Sequence, residues 1–167
     1  MNLRRVNLVL LLLGVALGAV LALLLTRDGE TARSATGTDQ TAQEYADVTR
    51  AATSQVQAFL GIDHRHVDEQ AQTVLDGATG DFKRQYADEL DNLTRSARDQ
   101  QSTAEATVLE VGISDVDASI ATVLVAANPE VTSRATDGQS RTVPWRIRLD
   151  MVKEGGRWLT SGLQFVG

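Results

Sequence analysis

The sequence predicts an α+β domain that follows a single transmembrane helix. Val6–Leu25 is a run of 20 residues without a charged side chain. From Asp39 to about Ser102, apolar residues recur at steps of three and four, which is the period of amphipathic helices. After Ser102 the period changes to two and β-branched residues predominate, as in strands. Helices followed by hairpins are typical of helices packed on one face of an antiparallel sheet.

The apolar run is long enough to cross a bilayer, since about 1.5 Å of rise per residue gives a span of about 30 Å. Arg4 and Arg5 precede the run, whereas Asp28 and Glu30 follow it closely. This charge asymmetry favours a cytoplasmic N-terminus and a cell-membrane location. The predicted organisation is a cytoplasmic segment 1–5, a transmembrane helix 6–26, a flexible tether 27–38 and an extracytoplasmic domain 39–167.

Two further readings concern the same apolar run. Ala16-Leu17-Gly18 could serve as the cleavage site of a signal peptide. The run nevertheless continues through Ala19–Leu25, which favours an uncleaved anchor. Gly14, Gly18 and Ala22 lie four residues apart on one face of the predicted helix, where small residues allow close helix–helix packing. Glycine and alanine are also common in membrane helices that have no such contact.

Composition excludes several classes of site. The 167 residues include 16 Lys and Arg against 22 Asp and Glu, a net charge of −6, which argues against nucleic acid as a partner. Cysteine is absent, so disulfides, thiolate metal sites and a cysteine nucleophile are excluded. We expect no cofactor and no metal.

Three helices are predicted before the strands. The first has its core face on Ala42, Tyr45, Ala46, Thr49, Ala52, Val56, Phe59 and Leu60. The second uses Val67, Ala71, Val74, Leu75 and Ala78. The third begins near Thr79, a competent N-cap, and buries Phe82, Tyr86, Leu90, Leu93 and Ala97.

Four strands are predicted after Ser102, over Thr103–Ile113, Ala118–Ala127, Val143–Met151 and Arg157–Val166. Asn128-Pro129 is predicted to end the second strand, because proline cannot donate to a strand ladder. The third strand alternates most cleanly and places apolar residues on its inward face, namely Val143, Trp145, Ile147, Leu149 and Met151. A curved sheet of about four strands around three helices can form a cone-shaped domain with an interior cavity.

Few residues suggest chemistry. His64 and His66 could join nearby carboxylates at a metal ion, but Arg65 between them opposes a cation, which favours surface histidines. Glu110 lies mid-strand among apolar residues, where an outward side chain is the simpler interpretation. Tyr45 and Tyr86 fall on predicted core faces, and their hydroxyls could line a cavity. Because no acid or base falls on the inward strand face, the sequence predicts a protein that is not an enzyme and has no catalytic residue.

The two tryptophans are the largest apolar side chains and fall in adjacent predicted strands. Trp145 and Trp158 are therefore candidates either for core anchors or for an aromatic patch that docks a partner.

The chain resembles the Mce-associated membrane proteins of actinobacteria (Mce for mammalian cell entry), whose domain has the SnoaL-like, nuclear-transport-factor-like cone fold. The resemblance rests on Ala78-Thr79-Gly80-Asp81-Phe82 with Tyr86, on Ala121–Val125, and on the closing Gly156–Leu163 segment. The link Ile62-Asp63-His64-Arg65-His66 departs from the aromatic-rich link expected there.

The resemblance implies a single-pass accessory role in the assembly or stability of an Mce-type lipid-import complex, with Mce transporter proteins as partners. It supplies no catalytic residues. Two alternatives stay open, a module that binds lipid in an apolar cone cavity and, less favoured, a membrane-tethered SnoaL-like isomerase or cyclase. A filled interior favours the accessory role, an apolar cavity favours lipid binding, and a buried Asp/His pair favours an enzyme.

Overall fold

The computed structural model describes residues 39–166 of the chain. Contacts divide the protein into two units, Met1–Gln43 and Glu44–Gly167, and the second contains all the strands. The predicted membrane segment 6–26, with Gly14, Gly18 and Ala22, lies outside the described residues. Within 39–166, no helix has the length and apolar character needed to cross a membrane.

Three helices precede the main strands, as predicted. Helix α1 covers residues 39–60, α2 covers Val67–Asp76 and α3 covers Gly80–Gln100. The buried residues of α2 and of the turn after it match the predicted stripe, with Val67, Ala71, Val74 and Ala78 inside. Thr79 is the N-cap of α3 by position, but its hydroxyl donates to Glu154 Oε1 (3.1 Å) instead of capping the helix.

Two helix faces differ from the prediction. In α1 the buried residues are Val48, Ala52, Gln55 and Val56, whereas Tyr45 is 45% exposed. The predicted stripe at the start of α1 was therefore wrong, because its alanines and threonine fix the direction of the helix only weakly. In α3, Leu93 is 44% exposed and the neighbouring Thr94 is buried instead.

Six strands form one antiparallel sheet in the order β1-β2-β3-β5-β6, and β4 pairs with β3 beside this path. Their bounds are β1 Ile62–Asp63, β2 Thr103–Val116, β3 Ile120–Thr132, β4 Arg141–Thr142, β5 Trp145–Glu154 and β6 Arg157–Phe165. The four long strands confirm the predicted α+β class. Sequence reasoning missed β1 and β4, because two residues are too few to show a period.

Pro129 does not end β3, contrary to the prediction. It is buried inside that strand, opposite Ala106 of β2, and its carbonyl accepts a hydrogen bond from the Val143 N–H (3.1 Å). The pairing of β3 with β5 stops at Ala127, so Pro129 lies beyond it and does not interrupt that ladder. A proline at such a place costs the sheet little.

The inner face of the sheet packs on α1 to form the main core. Val123 and Val125 of β3 and Ile147, Leu149 and Met151 of β5 are fully buried there. They cluster with Val48, Ala52 and Val56 of α1 and with Trp158 of β6. A second cluster joins α2 to α3 through Val74, Ala78 and Phe82. The result is a curled half-barrel sheet with helices on its inner side.

Candidate interaction surface

The inner face of the sheet carries no group suited to acid–base chemistry. Among residues 39–166 the buried polar side chains are Gln55, Thr94 and Thr160, and none of them ionises. Gln55 donates from Nε2 to the Val74 carbonyl (3.2 Å), which joins α1 to α2. Sequence reasoning missed this buried amide. Over residues 39–166 the interior packs side chains against one another and contains no buried Asp/His pair.

The two histidines lie in the link around β1, where Asp63 organises the loop. The Asp63 carboxylate accepts hydrogen bonds from the Arg65 backbone N–H (2.9 Å) and from Arg65 Nε (2.9 Å). His66 Nδ1 is 3.3 Å from the same carboxylate, and His64 Nδ1 is 3.3 Å from the Ser102 carbonyl. The hydrogen bonds from Arg65 hold the pKa of the Asp63 carboxyl well below its usual range. These contacts fix the conformation of the loop, so we assign Asp63 and the two histidines a structural role.

The tryptophans lie in different environments. Trp158 is 6% exposed, belongs to the main core, and has Lys153 Nζ 5.3 Å from its ring centroid. Trp145 is half-buried at the start of β5, and its ring centroid lies 4.5 Å from that of Phe165. Phe165 is 48% exposed. Trp145, not Trp158, is therefore available at the surface.

Five rings form an aromatic cluster at one end of the half-barrel: Phe59, Phe82, Tyr86, Trp145 and Phe165. Phe59 is central, with ring centroids 5.8 Å from Phe82, 6.1 Å from Tyr86 and 6.2 Å from Phe165. Edge-to-face and tilted rings at these distances attract one another. The cluster brings α1, α3, β5 and β6 together and ends at the exposed Phe165. Sequence reasoning did not select Phe59 or Phe165 for this role, since the cluster depends on tertiary contacts.

The two tyrosines also lie in different environments. Tyr86 is half-buried in the aromatic cluster, and burial raises the pKa of its phenol. A phenol with a raised pKa is neutral at physiological pH, so it packs as a ring with a polar tip. Tyr45 is exposed on α1 and lines no interior space.

The outer face of the sheet holds Glu110. Its side chain is exposed and lines a groove of about 470 Å³ together with Gly112, Leu124, Ala126 and Arg146. The carboxylate points away from the core, in agreement with the outward orientation that the sequence favours.

A second cavity, of about 150 Å³, lies between the helices and is lined by Phe59, Ile62, Tyr86, Leu90 and Leu93, among others.

Residues 6–167 match the family described as uncharacterized protein Rv1363c/MT1408-like. The chain belongs to this family. A Mycobacterium tuberculosis member, uncharacterized protein Rv1363c, is 26% identical over 108 residues, which are 65% of this chain. This chain spans 41% of the length of that relative. The family shown is therefore Rv1363c-like, whereas kinship with Mce-associated proteins and a partnership with Mce transporter proteins stay predictions.

Similarity to solved structures shows that this chain has the nuclear-transport-factor-like, SnoaL-like fold. An IcmL-like type IV secretion system protein from Legionella pneumophila aligns with a TM-score of 0.59 at 12% identity, over 72% of this chain and 91% of that chain. CagV, a VirB8 homologue of the type IV secretion system of Helicobacter pylori, aligns with a TM-score of 0.56 at 13% identity, over 71% and 96%. At such identities the likeness concerns the fold alone.

Proposed function

We propose that this protein is a single-pass membrane accessory protein whose extracytoplasmic domain binds partner proteins of an Mce-type lipid-import complex. One observation carries the proposal: the inner face of the sheet, where a cone fold would place a reaction or a ligand, is filled by apolar side chains of α1 and the strands. Because residues 39–166 contain no buried acid or base, we expect the domain to act by binding partners at its surface.

The predicted anchor supplies the second part of the proposal. Val6–Leu25 has the length and composition of a membrane helix, and the charges around it favour an external domain. A tethered domain meets a membrane complex at a high effective concentration, so each contact can be weak. The two type IV secretion system proteins that share the fold offer an analogy, since they too belong to transport assemblies by name.

The exposed end of the aromatic cluster is the best candidate for the contact. Phe165 and Trp145 contact each other at the surface with tilted rings, and the ring of Phe59 packs against Phe165. Rigid, partly exposed aromatic rings are frequent anchors of protein interfaces, because they bury a large area at a low cost in side-chain entropy.

Co-purification from mycobacterial membranes tests this proposal. Tagged full-length protein should recover Mce transporter proteins, quantified by mass spectrometry. Phe165→Ala should reduce that recovery by about tenfold or more, the loss expected for an interface anchor. Tyr45→Ala is the matched control, because Tyr45 is about as exposed as Phe165 but lies 14 residues before Phe59 in α1, away from the aromatic cluster. Equal recovery with both variants, or recovery of no Mce protein by the native chain, would reject the proposed contact.

The lipid-binding alternative has less support. The apolar cavity between the helices measures about 150 Å³. Pockets that enclose drug-sized ligands usually measure about 300–1,000 Å³. A lipid would therefore need the helices to separate before it could enter this cavity. If delipidated protein extracted labelled lipid from vesicles in equimolar amounts, the lipid-binding function would replace the accessory one.

A further inference from the structure

A polar cavity of about 500 Å³ lies between α1, the end of α2 and the turn that joins β5 to β6. Its volume falls in the range of about 300–1,000 Å³ that is usual for pockets with small ligands. Trp158 lines this cavity and pairs in the sheet with Lys153, which lies at the opposite end of β5 from Trp145. At about 3.3 Å per residue the two tryptophans are therefore about 26 Å apart along the strands, so the cavity is distinct from the aromatic cluster.

The amide of Gln55 supplies an unused hydrogen-bond acceptor in the wall of this cavity. Gln55 is 3% exposed, and its Nε2 donates to the Val74 carbonyl (3.2 Å), which fixes the orientation of the amide. No hydrogen bond within residues 39–166 uses Gln55 Oε1. Gly77 lines the same wall, and a Cβ at that position would overlap this oxygen. A buried amide oxygen without a donor is costly, so a ligand that donates to it is favoured.

The indole of Trp158 supplies an unused donor in the same cavity. Trp158 is 6% exposed, and its Nε1–H has no acceptor among residues 39–166. An indole N–H can only donate a hydrogen bond, whereas the free oxygen of Gln55 can only accept one. A hydroxyl group does both. A carboxylate or phosphate oxygen only accepts, and an ammonium group only donates, so neither ion satisfies both atoms.

The charged side chains around the cavity balance one another. Asp47 and Asp76 contribute two negative charges, and Arg50 and Arg157 contribute two positive charges. Arg50 Nη1 donates to Asp47 Oδ1 (2.8 Å), and Arg157 Nη2 donates to the Asp76 carbonyl (3.0 Å). The sum is zero, so the cavity has no net attraction for an anion or a cation. Because carboxylates accept and guanidinium groups donate, these four residues also present both kinds of hydrogen-bonding group.

We propose that this cavity binds a neutral sugar. One sugar hydroxyl donates to Gln55 Oε1, and a second accepts from Trp158 Nε1–H. The remaining hydroxyls form hydrogen bonds with the carboxylate of Asp76 and the guanidinium of Arg157, which line the cavity nearer to solvent. The same chemistry occurs in a free sugar and in the headgroup of a glycolipid, and the experiment below separates these two sources.

NMR spectroscopy of the full-length protein tests the proposal. The chain has two tryptophans, so a ¹⁵N-labelled sample gives two indole N–H signals, which Trp145→Phe and Trp158→Phe assign. The protein is kept in an amine-oxide detergent, which contains neither sugar nor phosphate. In a panel of maltose, lactose and sucrose, at least one disaccharide should shift the Trp158 signal in a saturable manner. The Trp145 signal is the internal control and should not move.

A second arm identifies the source of the sugar. Replacing part of the amine oxide by dodecyl maltoside presents maltose as the headgroup of an amphiphile in the same micelle. A shift of the Trp158 signal with the free disaccharide supports a soluble sugar as the ligand. A shift with dodecyl maltoside alone supports a glycolipid headgroup.

Two variants test the contacts with whichever probe binds. Arg157→Ala removes an exposed donor and should raise the dissociation constant by about tenfold or more, as expected for the loss of a hydrogen bond from a charged group. Gln55→Met removes the acceptor, keeps the length of the side chain and should abolish the saturable shift. Arg95→Ala removes an exposed arginine of α3 and, as the matched control, should leave the dissociation constant unchanged. Circular dichroism checks folding, and Arg157→Ala tests the site even if Gln55→Met does not fold.

Three results would overturn the proposal. The first is a Trp158 signal that moves with no disaccharide and not with dodecyl maltoside, which would leave both buried atoms to water. The second is a saturable shift with sodium acetate in place of the sugars, which would assign the cavity to an anion. The third is an equal dissociation constant for Arg157→Ala and Arg95→Ala, which would place the sugar elsewhere on the protein.

Discussion

Replacing Trp158 by alanine tests how the interior of the half-barrel is held. The indole is 6% exposed and packs in the main core with Val56 and Met151. Truncation of a buried large aromatic costs about 3–5 kcal/mol. The contact with Lys153 adds about 0.5–1 kcal/mol at most, because that lysine is partly exposed. We expect the Trp158→Ala variant of fragment 39–167 to lose about 3–5 kcal/mol of its free energy of unfolding.

The indole nitrogen allows a sharper comparison. Trp158 Nε1 is buried with no hydrogen-bond partner among the described residues. An unpaired buried donor carries a penalty of about 1–3 kcal/mol, which Trp158→Phe removes while it keeps a large ring in the core. Trp158→Phe should therefore cost less than half as much as Trp158→Ala.

Urea unfolding followed by circular dichroism gives both values. For a domain of this size the alanine variant should also lower the thermal midpoint by roughly 10–20 °C. A Trp158→Ala loss below about 1 kcal/mol would refute the burial of the ring. A Trp158→Phe loss equal to that of Trp158→Ala would refute the unpaired N–H.

Three further predictions concern single residues. Hydrogen bonds from Arg65 lower the pKa of Asp63 in the folded state, so the native chain should be more stable than Asp63→Asn above pH ~4. That difference in stability should disappear as the pH falls through the pKa of Asp63 in the folded state. Urea unfolding measures the difference, and NMR follows the titration. Burial raises the pKa of Tyr86, so the native fold should lose stability as the pH rises above ~10, and Tyr86→Phe should reduce that loss in alkaline unfolding monitored by absorbance. Gly80 has φ +57°, so Gly80→Ala should cost about 1–2 kcal/mol and Gly80→Asn less, whereas equal costs in thermal unfolding would contradict the backbone explanation.

Much of the fold could be predicted from periodicity. Helices α2 and α3 and strand β5 show clear patterns, because their apolar residues recur at one period and polar or charged residues occupy the opposite face. The predicted core face at the start of α1 consists mostly of alanine and threonine, whose small side chains gain little free energy from burial. Tyr45 was therefore assigned to the wrong face, and Val48 and Gln55 were missed.

The surface features could not be predicted in the same way. The aromatic cluster joins Phe59 to Phe165, residues more than 100 positions apart in the chain. The faces on which Glu110 and Asp115 lie depend on two bulges in β2, which shift the alternation that a sequence period assumes. Pairing partners and bulges arise from the whole sheet, so local patterns do not contain them.

Complementation of lipid uptake in a bacterial strain that lacks the gene tests the account most directly. The central claim is that the domain acts as a membrane-tethered binding surface and catalyses no reaction. A triple variant, His64→Gln, His66→Gln and Tyr86→Phe, removes the histidines and the phenol of the aromatic cluster and keeps the Asp63 loop. This variant should restore uptake of labelled lipid as well as the native chain does. A chain that lacks residues 1–26 should restore none. Failure of a folded triple variant, together with activity of the untethered chain, would contradict the account.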